Sequence, residues 1–504
     1  MRVALEGLCR SFPGVRAVQD VSLDYEPGRL YALVGENGAG KSTLMHLLYG
    51  MLPPDAGRIL VDGRPVRLAG SQDAIRLGIG MVHQHFMLVD TLTAAENVVL
   101  GAEPGRWGRL DREAARAAVR ADGERFGLAV DPDAPLESLS VGEAQRVEIL
   151  KVLYRGASFL IFDEPTGVLT PQEARGLFAI LRRLRDEGKT VVLISHKLDE
   201  VLAVAETIDV MRRGRHVGRL AREEADAERL ARMMVGREVL LRVEKPPAAP
   251  GPPVLEARGL GLARRPGRAE LADVSFTLRR GEVLGIAGVE GNGQRELAAL
   301  VTGLLRPDAG ELRLDGRSLA GLTPRRARDL GIRHVPEDRQ RTGLVLDMSL
   351  RENLILGEEG GPAAGRAGVI LPGRVATLAR RRVSEYDVRV ADTRQSARSL
   401  SGGNQQKLVL ARELDGDPRL LVACHPTRGV DVGAIEYIHR TLLAKRARGL
   451  AVLLFSSELS ELLALSDRIG VLYRGRLTAV LDADAVDEET LGLYITGARG
   501  VERA

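Results

Sequence analysis

Leu30-Tyr31-Ala32-Leu33-Val34 is a run of five apolar residues, followed by Gly35-Glu36-Asn37-Gly38-Ala39-Gly40-Lys41-Ser42-Thr43 and then by a helical pattern from Leu44 to Tyr49. A buried strand, a G-x-x-x-x-G-K-[ST] loop and a helix together form the context in which such a loop cradles phosphate. Glycines let successive backbone N–H groups turn inward around phosphate oxygens. The helix that follows points its positive end at the same anion. Lys41 suits the β- and γ-phosphates of a nucleotide, and the Ser42 hydroxyl suits Mg²⁺. Gly35 to Thr43 are therefore expected to line a nucleotide cradle.

The partners of such a cradle lie further along. Phe159-Leu160-Ile161-Phe162-Asp163-Glu164 is an apolar strand ending in two acids. A carboxylate at the tip of a buried strand is costly unless paired or metal-bound. Asp163 suits a Mg²⁺ role through the ion's water shell. Glu164, one residue on, suits polarising an attacking water. A run of this kind is common by itself and gains force from the phosphate loop before it. Val191-Val192-Leu193-Ile194-Ser195-His196 is another strand ending in a polar pair. A histidine there can reach a γ-phosphate, although a lone histidine is more often structural.

The chain repeats itself. Asp20-Val21-Ser22-Leu23 recurs as Asp273-Val274-Ser275-Phe276, and Gly35 recurs at Gly288, 253 residues later. Leu139-Ser140-Val141-Gly142 recurs as Leu400-Ser401-Gly402-Gly403, and Ser195-His196 as Ser456-Ser457, both at an offset of 261. An offset that grows by eight implies two homologous domains and a small net insertion, part of it expected in the Gly- and Ala-rich region Gly360 to Gly373. Between the copies lies Glu244-Lys245-Pro246-Pro247-Ala248-Ala249-Pro250-Gly251-Pro252-Pro253, too proline-rich for a helix interior or a central strand. The expected organisation is domain 1 at 1–241, a linker at 242–253 and domain 2 at 254–504. Strand-like runs alternate with amphipathic helical segments in each copy, predicting α/β domains with mostly parallel sheets.

Composition narrows the class. The chain has 504 residues, 44% hydrophobic and 28% charged, as in a globular protein. No stretch reaches the roughly 18 apolar residues needed to cross a bilayer. The start, Met1-Arg2-Val3-Ala4-Leu5-Glu6, carries no apolar signal core, so a cytoplasmic location is expected. Two cysteines, Cys9 and Cys424, make neither a disulfide framework nor a four-ligand zinc site. A net charge of +4 without dense basic runs gives little support for nucleic-acid binding.

Taken in order, these motifs resemble those of the ABC transporter ATPases. Leu139-Ser140-Val141-Gly142-Glu143-Ala144-Gln145-Arg146 is similar to that family's signature, and Leu400-Ser401-Gly402-Gly403-Asn404-Gln405-Gln406-Lys407 fits it better. Gln84, in Met81-Val82-His83-Gln84-His85-Phe86, matches the glutamine that follows a core strand, His196 the switch histidine, and Phe12 the aromatic that stacks on adenine. The resemblance implies two tandem P-loop NTPase domains, each with a helical subdomain. It implies ATP and Mg²⁺ as ligands, with Ser42, Gln84 and Asp163 at the metal and Glu164, His196, Gln84 and Lys41 in hydrolysis. It also implies that ATP is held between one domain's phosphate loop and the other's signature. Ser401, Gly402 and Gly403, at a helix N-terminus, would then form a second anion site that completes the first.

The second copy departs from the pattern. Its loop reads Gly288-Val289-Glu290-Gly291-Asn292-Gly293-Gln294-Arg295, with Gln294 for the lysine and Arg295 for the metal-binding hydroxyl. Cys424 and His425 stand where Asp163 and Glu164 stand, Glu337 at the Gln84 position, Ser457 at the His196 position and Arg265 at the Phe12 position. One good composite site and one degenerate site are expected. By resemblance, fused domains of this kind serve importers of simple sugars and nucleosides. The loss of acids at Cys424/His425 and the wording Pro426-Thr427-Arg428-Gly429-Val430-Asp431-Val432-Gly433-Ala434 look closer to the nucleoside branch. Two membrane permease subunits, met around Gln84 to Asn97, and an extracytoplasmic substrate-binding protein are the implied partners, with peripheral attachment at the cytoplasmic face of the membrane. A simple-sugar importer is the alternative. A translation-associated ABC ATPase would carry a long charged interdomain arm and two intact sites, and a purely regulatory ATP-binding protein would not hydrolyse.

Overall fold

The computed structural model describes residues 1–12, 15–84, 86–106, 109–166, 169, 171–237, 243–289, 291–366, 369–495 and 497. It divides into two compact units, Met1–Leu241 and Arg242–Ala504. The expected boundary at 241/242 and Glu290 of the second loop lie outside the described residues.

In the first unit the apolar runs become a six-stranded sheet. Its order is Arg215–Ala221, Thr207–Arg212, Leu30–Gly35, Thr190–Ser195, Phe159–Asp163, Ile79–Val82. Five strands are parallel, and Arg215–Ala221 closes one edge as an antiparallel hairpin partner. The central strands are buried along their whole length, which is why their sequences are nearly continuous in Val, Leu and Ile. Register places Ser195 opposite Val34 and Ile194 opposite Asp163, so the carboxyl ends finish nearly flush. An open parallel sheet collects its ligands at that edge.

A second, antiparallel sheet runs Val15–Tyr25, Val3–Phe12, Ala56–Val61, Arg64–Val66. Leu5 and Leu8 from it, Leu44 and Leu48 from the helix Lys41–Leu48, and Phe159 and Val192 from the parallel sheet share one core. Tyr25 packs edge-on against Tyr31 and Phe159, with ring centroids 4.9 and 5.6 Å away. The helical subdomain is an excursion between the strands Ile79–Val82 and Phe159–Asp163. It holds the helices Ala94–Val99, Arg112–Phe126 and Val141–Tyr154. Thr93 with Glu96 and Ser140 with Glu143 form reciprocal capping boxes at two of their N-termini.

The second unit repeats the strand order. It runs Ile332–Val335, Leu420–Cys424, Ala451–Phe455, Val283–Ala287, Arg468–Tyr473, Arg476–Asp482, beside an antiparallel sheet of four. Matched features show where its extra residues enter. The offset is 253 at Gln84/Glu337 and 256 at the capped helix starts Thr93/Ser349. It is 260 at the small hairpin strands Gly105–Arg106 and Gly365–Arg366, and 261 at Ser140/Ser401. Three residues thus enter around the π-helical turn Arg339–Gly343, and four just before the hairpin, at the edge of the region expected to take them. The proline-rich stretch runs without strand or helix until the strand Pro253–Leu262. It lies on the second unit, where Lys245 Nζ donates to the Ser466 carbonyl at 2.8 Å and Arg446 donates to the Pro246 carbonyl. No described helix is long and apolar enough to cross a membrane.

Candidate functional site

Four neighbouring parallel strands of the first unit deliver the sequence-predicted residues to one edge. The phosphate loop follows Leu30–Gly35, His196 follows Thr190–Ser195, Asp163 and Glu164 end Phe159–Asp163, and Gln84 lies two residues past Ile79–Val82. Gly40, the N-cap of the helix Lys41–Leu48, has φ 97°. A Cβ there would meet the Ala17 carbonyl oxygen at 2.2 Å, so glycine is required by space as well as by torsion. Lys41 is 6% exposed, and its ammonium donates to the Gly35 carbonyl at 2.8 Å and the Glu36 carbonyl at 3.1 Å. A buried ammonium held over the loop by two of its carbonyls is placed to meet an anion.

The acids divide in character. Ser42 Oγ donates to Asp163 Oδ1 at 3.2 Å. Burial pushes the Asp163 carboxyl up, the Ser42 bond pulls it back, and the Glu164 charge adds to the rise. Glu164 sits in the left-handed region at φ 46°, its N–H donating to the Ile194 carbonyl at 3.0 Å. Its carboxylate lies 2.9 Å from His196 Nδ1 and accepts from Gln84 Nε2 at 3.2 Å. Burial raises the Glu164 carboxyl, but the bond and charge of His196, and after them Lys41, outweigh it and leave it below the ordinary range. Glu164 is therefore a fixed, ionised base at neutral pH. Ser42, Gln84 and Asp163 offer a hydroxyl, an amide and one carboxylate. That oxygen set is too small to cage a metal by itself, and it suits Mg²⁺ that keeps waters and shares phosphate oxygens. Phe12, 39% exposed, ends the strand Val3–Phe12, and Arg10 lies over its ring at 5.2 Å.

The same edge of the second unit is closed by side chains. His425 keeps the backbone of Glu164, with φ 47° and its N–H on the Phe455 carbonyl at 2.7 Å, but its ring faces the Ser457 N–H at 3.3 Å. The Cys424 sulfur is 3.7 Å from His334 Nε2, and burial, with Glu337 nearby, pushes its thiol up to about 12. Gln294 Nε2 donates to the Val289 carbonyl at 3.1 Å. Arg295 pairs with Glu337 at 2.9 Å, and Arg428 grips the other oxygen of the same carboxylate. Arg295, at the Ser42 position, and Arg428 thus bracket one carboxylate at this edge, and Cys424 stands where Asp163 offers an oxygen.

The two signatures differ in what the serine hydroxyl meets. Ser401 caps the helix Gly402–Glu413, and the Asn404 amide donates to its hydroxyl at 3.1 Å. Ser140 instead gives its hydroxyl to the Glu143 carboxylate at 2.7 Å, and that carboxyl is held down by its bonds to Ser140. A carboxylate already occupies the anion-attracting helix end in the first signature, and a neutral amide stands there in the second. The S-x-x-E pattern that announces this was present in the sequence.

A family model described as "ABC transporter" matches residues 18–167 and 271–428. The chain is 46% identical to the guanosine import ATP-binding protein NupO of Bacillus subtilis, over 97% of this chain and 96% of that one. It is 45% identical to the nucleoside import ATP-binding protein NupA of Lactococcus lactis, covering 95% and 94%. Its identity to the ribose import ATP-binding protein RbsA 1 of Rubrobacter xylanophilus is 44%, covering 99% of each.

Proposed function

This chain belongs to the ABC transporter family, and from that premise we propose that it is the ATPase subunit of an importer whose cargo is a nucleoside. The observation that carries the hydrolytic half is the Glu164 carboxylate held between His196 and Gln84 beside the Lys41 cradle. Lys41 and the loop amides hold the triphosphate. Glu164 takes a proton from the attacking water, and His196 and Gln84 fix the carboxylate's position. Ser42, Asp163 and Gln84 would hold Mg²⁺, which would supply charge neutralisation at the phosphates. Ser401 and the Gly402 and Gly403 amides complete the site from the second domain, and Phe12 stacks on the adenine. ATP binding then favours a closed state that hydrolysis releases. Two permease subunits carry the cargo across the membrane, a separate extracytoplasmic protein delivers it, and this chain attaches at the cytoplasmic face.

The nucleoside reading rests on the similarity to NupO and NupA and on the acid-free Cys424-His425 pair. The ribose relative, nearly as similar, keeps a simple sugar as the second reading. Vesicles carrying the subunit with its permeases and binding protein decide between them. ATP-dependent uptake of labelled guanosine, unaffected by excess ribose, is the expected result. Uptake of ribose alone would assign the sugar, and no ATP-dependent uptake of either would remove both.

A further inference from the structure

The first unit carries a groove of about 690 Å³ that no phosphate-loop residue lines, although Gly142 and Gln145 of the first signature border it. Its walls are the helices Arg112–Phe126, Val141–Tyr154 and Pro171–Asp186, so it lies where the helical subdomain meets a helix of the core. Phe126, Gly127, Arg146, Glu173, Gly176 and Arg183 are among the residues that line it.

The second unit shows what this place is shaped to hold. At the offset of 261, Gly176 corresponds to Tyr437 and Arg146 to Lys407. At 260, where both units turn left-handed after a buried aromatic, Gly127 corresponds to Asp387. There the Lys407 ammonium lies 4.4 Å from the centre of the Tyr437 ring and pairs with Asp387 at 2.6 Å. An aromatic ring, a cation and an acid thus meet at the joint, the acid at its exposed rim. In the first unit the ring and the acid are both glycine, while the cation is kept as arginine. A Cβ on Gly176 would meet none of the described residues within 4 Å, so among them the missing ring leaves open space. A Cβ on Gly127 would come within 2.9 Å of Arg183 Nη1, so the second glycine admits another guanidinium in place of the acid. Arg146 donates to the Ala129 carbonyl and Arg183 to the Glu124 carbonyl, each at 3.2 Å, which aims both heads along the groove wall. Two cations face one acid, Glu173.

We propose that this groove is a regulatory site for a small molecule that joins a planar aromatic ring to an anionic group, of the nucleoside monophosphate class. The ring takes the place of Tyr437 and stacks on Arg146. The anion takes the place of Asp387 and meets Arg183, whose planar fork suits a phosphate. The volume falls in the range of small-ligand sites. An occupant braces the helical subdomain against the core as Tyr437 does in the other unit, and so alters how readily the signature helix Val141–Tyr154 moves.

The test is calorimetric titration of AMP, GMP, CMP and UMP into the full chain, with the ATP cradle saturated by a non-hydrolysable Mg-ATP analogue. At least one should bind, and its uncharged nucleoside should bind about tenfold or more weakly. Gly176→Tyr supplies the plug in cis and should abolish that binding, and its phosphate release from Mg-ATP should shift in the same direction as that of the wild type holding the ligand. Arg146→Ala should weaken it about 5- to 30-fold. Binding that survives Gly176→Tyr places the ligand elsewhere and overturns the proposal, as does absence of binding by all four compounds at millimolar concentration. If Gly176→Tyr fails to fold, Arg146→Ala and Arg183→Ala decide, and affinity unchanged in both is equally fatal.

Discussion

Replacing Glu164 with glutamine deletes one charge and keeps the length and shape of the side chain. The carboxylate it removes is held at two points, His196 at 2.9 Å and Gln84 at 3.2 Å, and lies below the ordinary carboxylate range despite burial. A neutral amide has almost no basicity, so proton transfer from the attacking water loses its acceptor. General-base catalysis is worth about 10²–10⁴-fold, or roughly 2.7–5.4 kcal/mol at 1.36 kcal/mol per decade. Binding should change little, because Lys41 and the loop amides, not Glu164, hold the phosphates. The assay pairs phosphate release at saturating Mg-ATP with equilibrium binding of labelled ATP. Affinity within about threefold of wild type and turnover lower by about 10² or more are expected. The sign of the pH dependence follows from the depressed carboxyl. The base is ionised above its lowered pKa and is lost only as pH falls through that value, so this group imposes no loss of rate near neutrality. Turnover within about tenfold of wild type, in protein that binds ATP normally, would refute the assignment.

Gly40→Ala forces a Cβ against the Ala17 carbonyl at φ 97°, and ATP affinity should fall about tenfold or more in the same binding assay, at a strain of roughly 1–3 kcal/mol. Lys41→Ala should abolish phosphate release, whereas Gln294→Ala, at the equivalent place in the second unit, should leave it within about twofold. Ser401→Ala removes a donor from the second signature and should lower turnover about 10²–10³-fold; an unchanged rate would break the link between that signature and hydrolysis. Glu337→Gln releases Arg295 and Arg428, which are 72% and 54% exposed, so solvent screening limits the loss to about 0–1 kcal/mol by thermal melting.

The phosphate loop, the two strand-end acids and the doubling of the chain were all legible in the residue order, because each is a short-range pattern. A strand, a glycine turn and a helix start must be contiguous to hold phosphate, and a buried parallel strand must be apolar along its length. The antiparallel sheet beside each core was not legible. Its strands, such as Val3–Phe12, carry partial and irregular burial broken by register shifts. The Gln84 position could be matched by resemblance, but its grip on Glu164 spans 80 residues and has no local signature. The same holds for Arg295 with Glu337 and for the groove opened by Gly127 and Gly176, which only the folded helices bring together.

Residue order alone determined which chemistry the first half keeps and the second half lacks, since a lysine, a hydroxyl or a carboxylate is present or absent whatever surrounds it. Tertiary structure decided how those groups behave. Glu164 is ionised because His196 and Lys41 outweigh its burial, and Ser140 is engaged because Glu143 folds back onto it. Protonation and pairing depend on distance and solvent exclusion, and both arise only when strands far apart in sequence finish at one edge of a sheet.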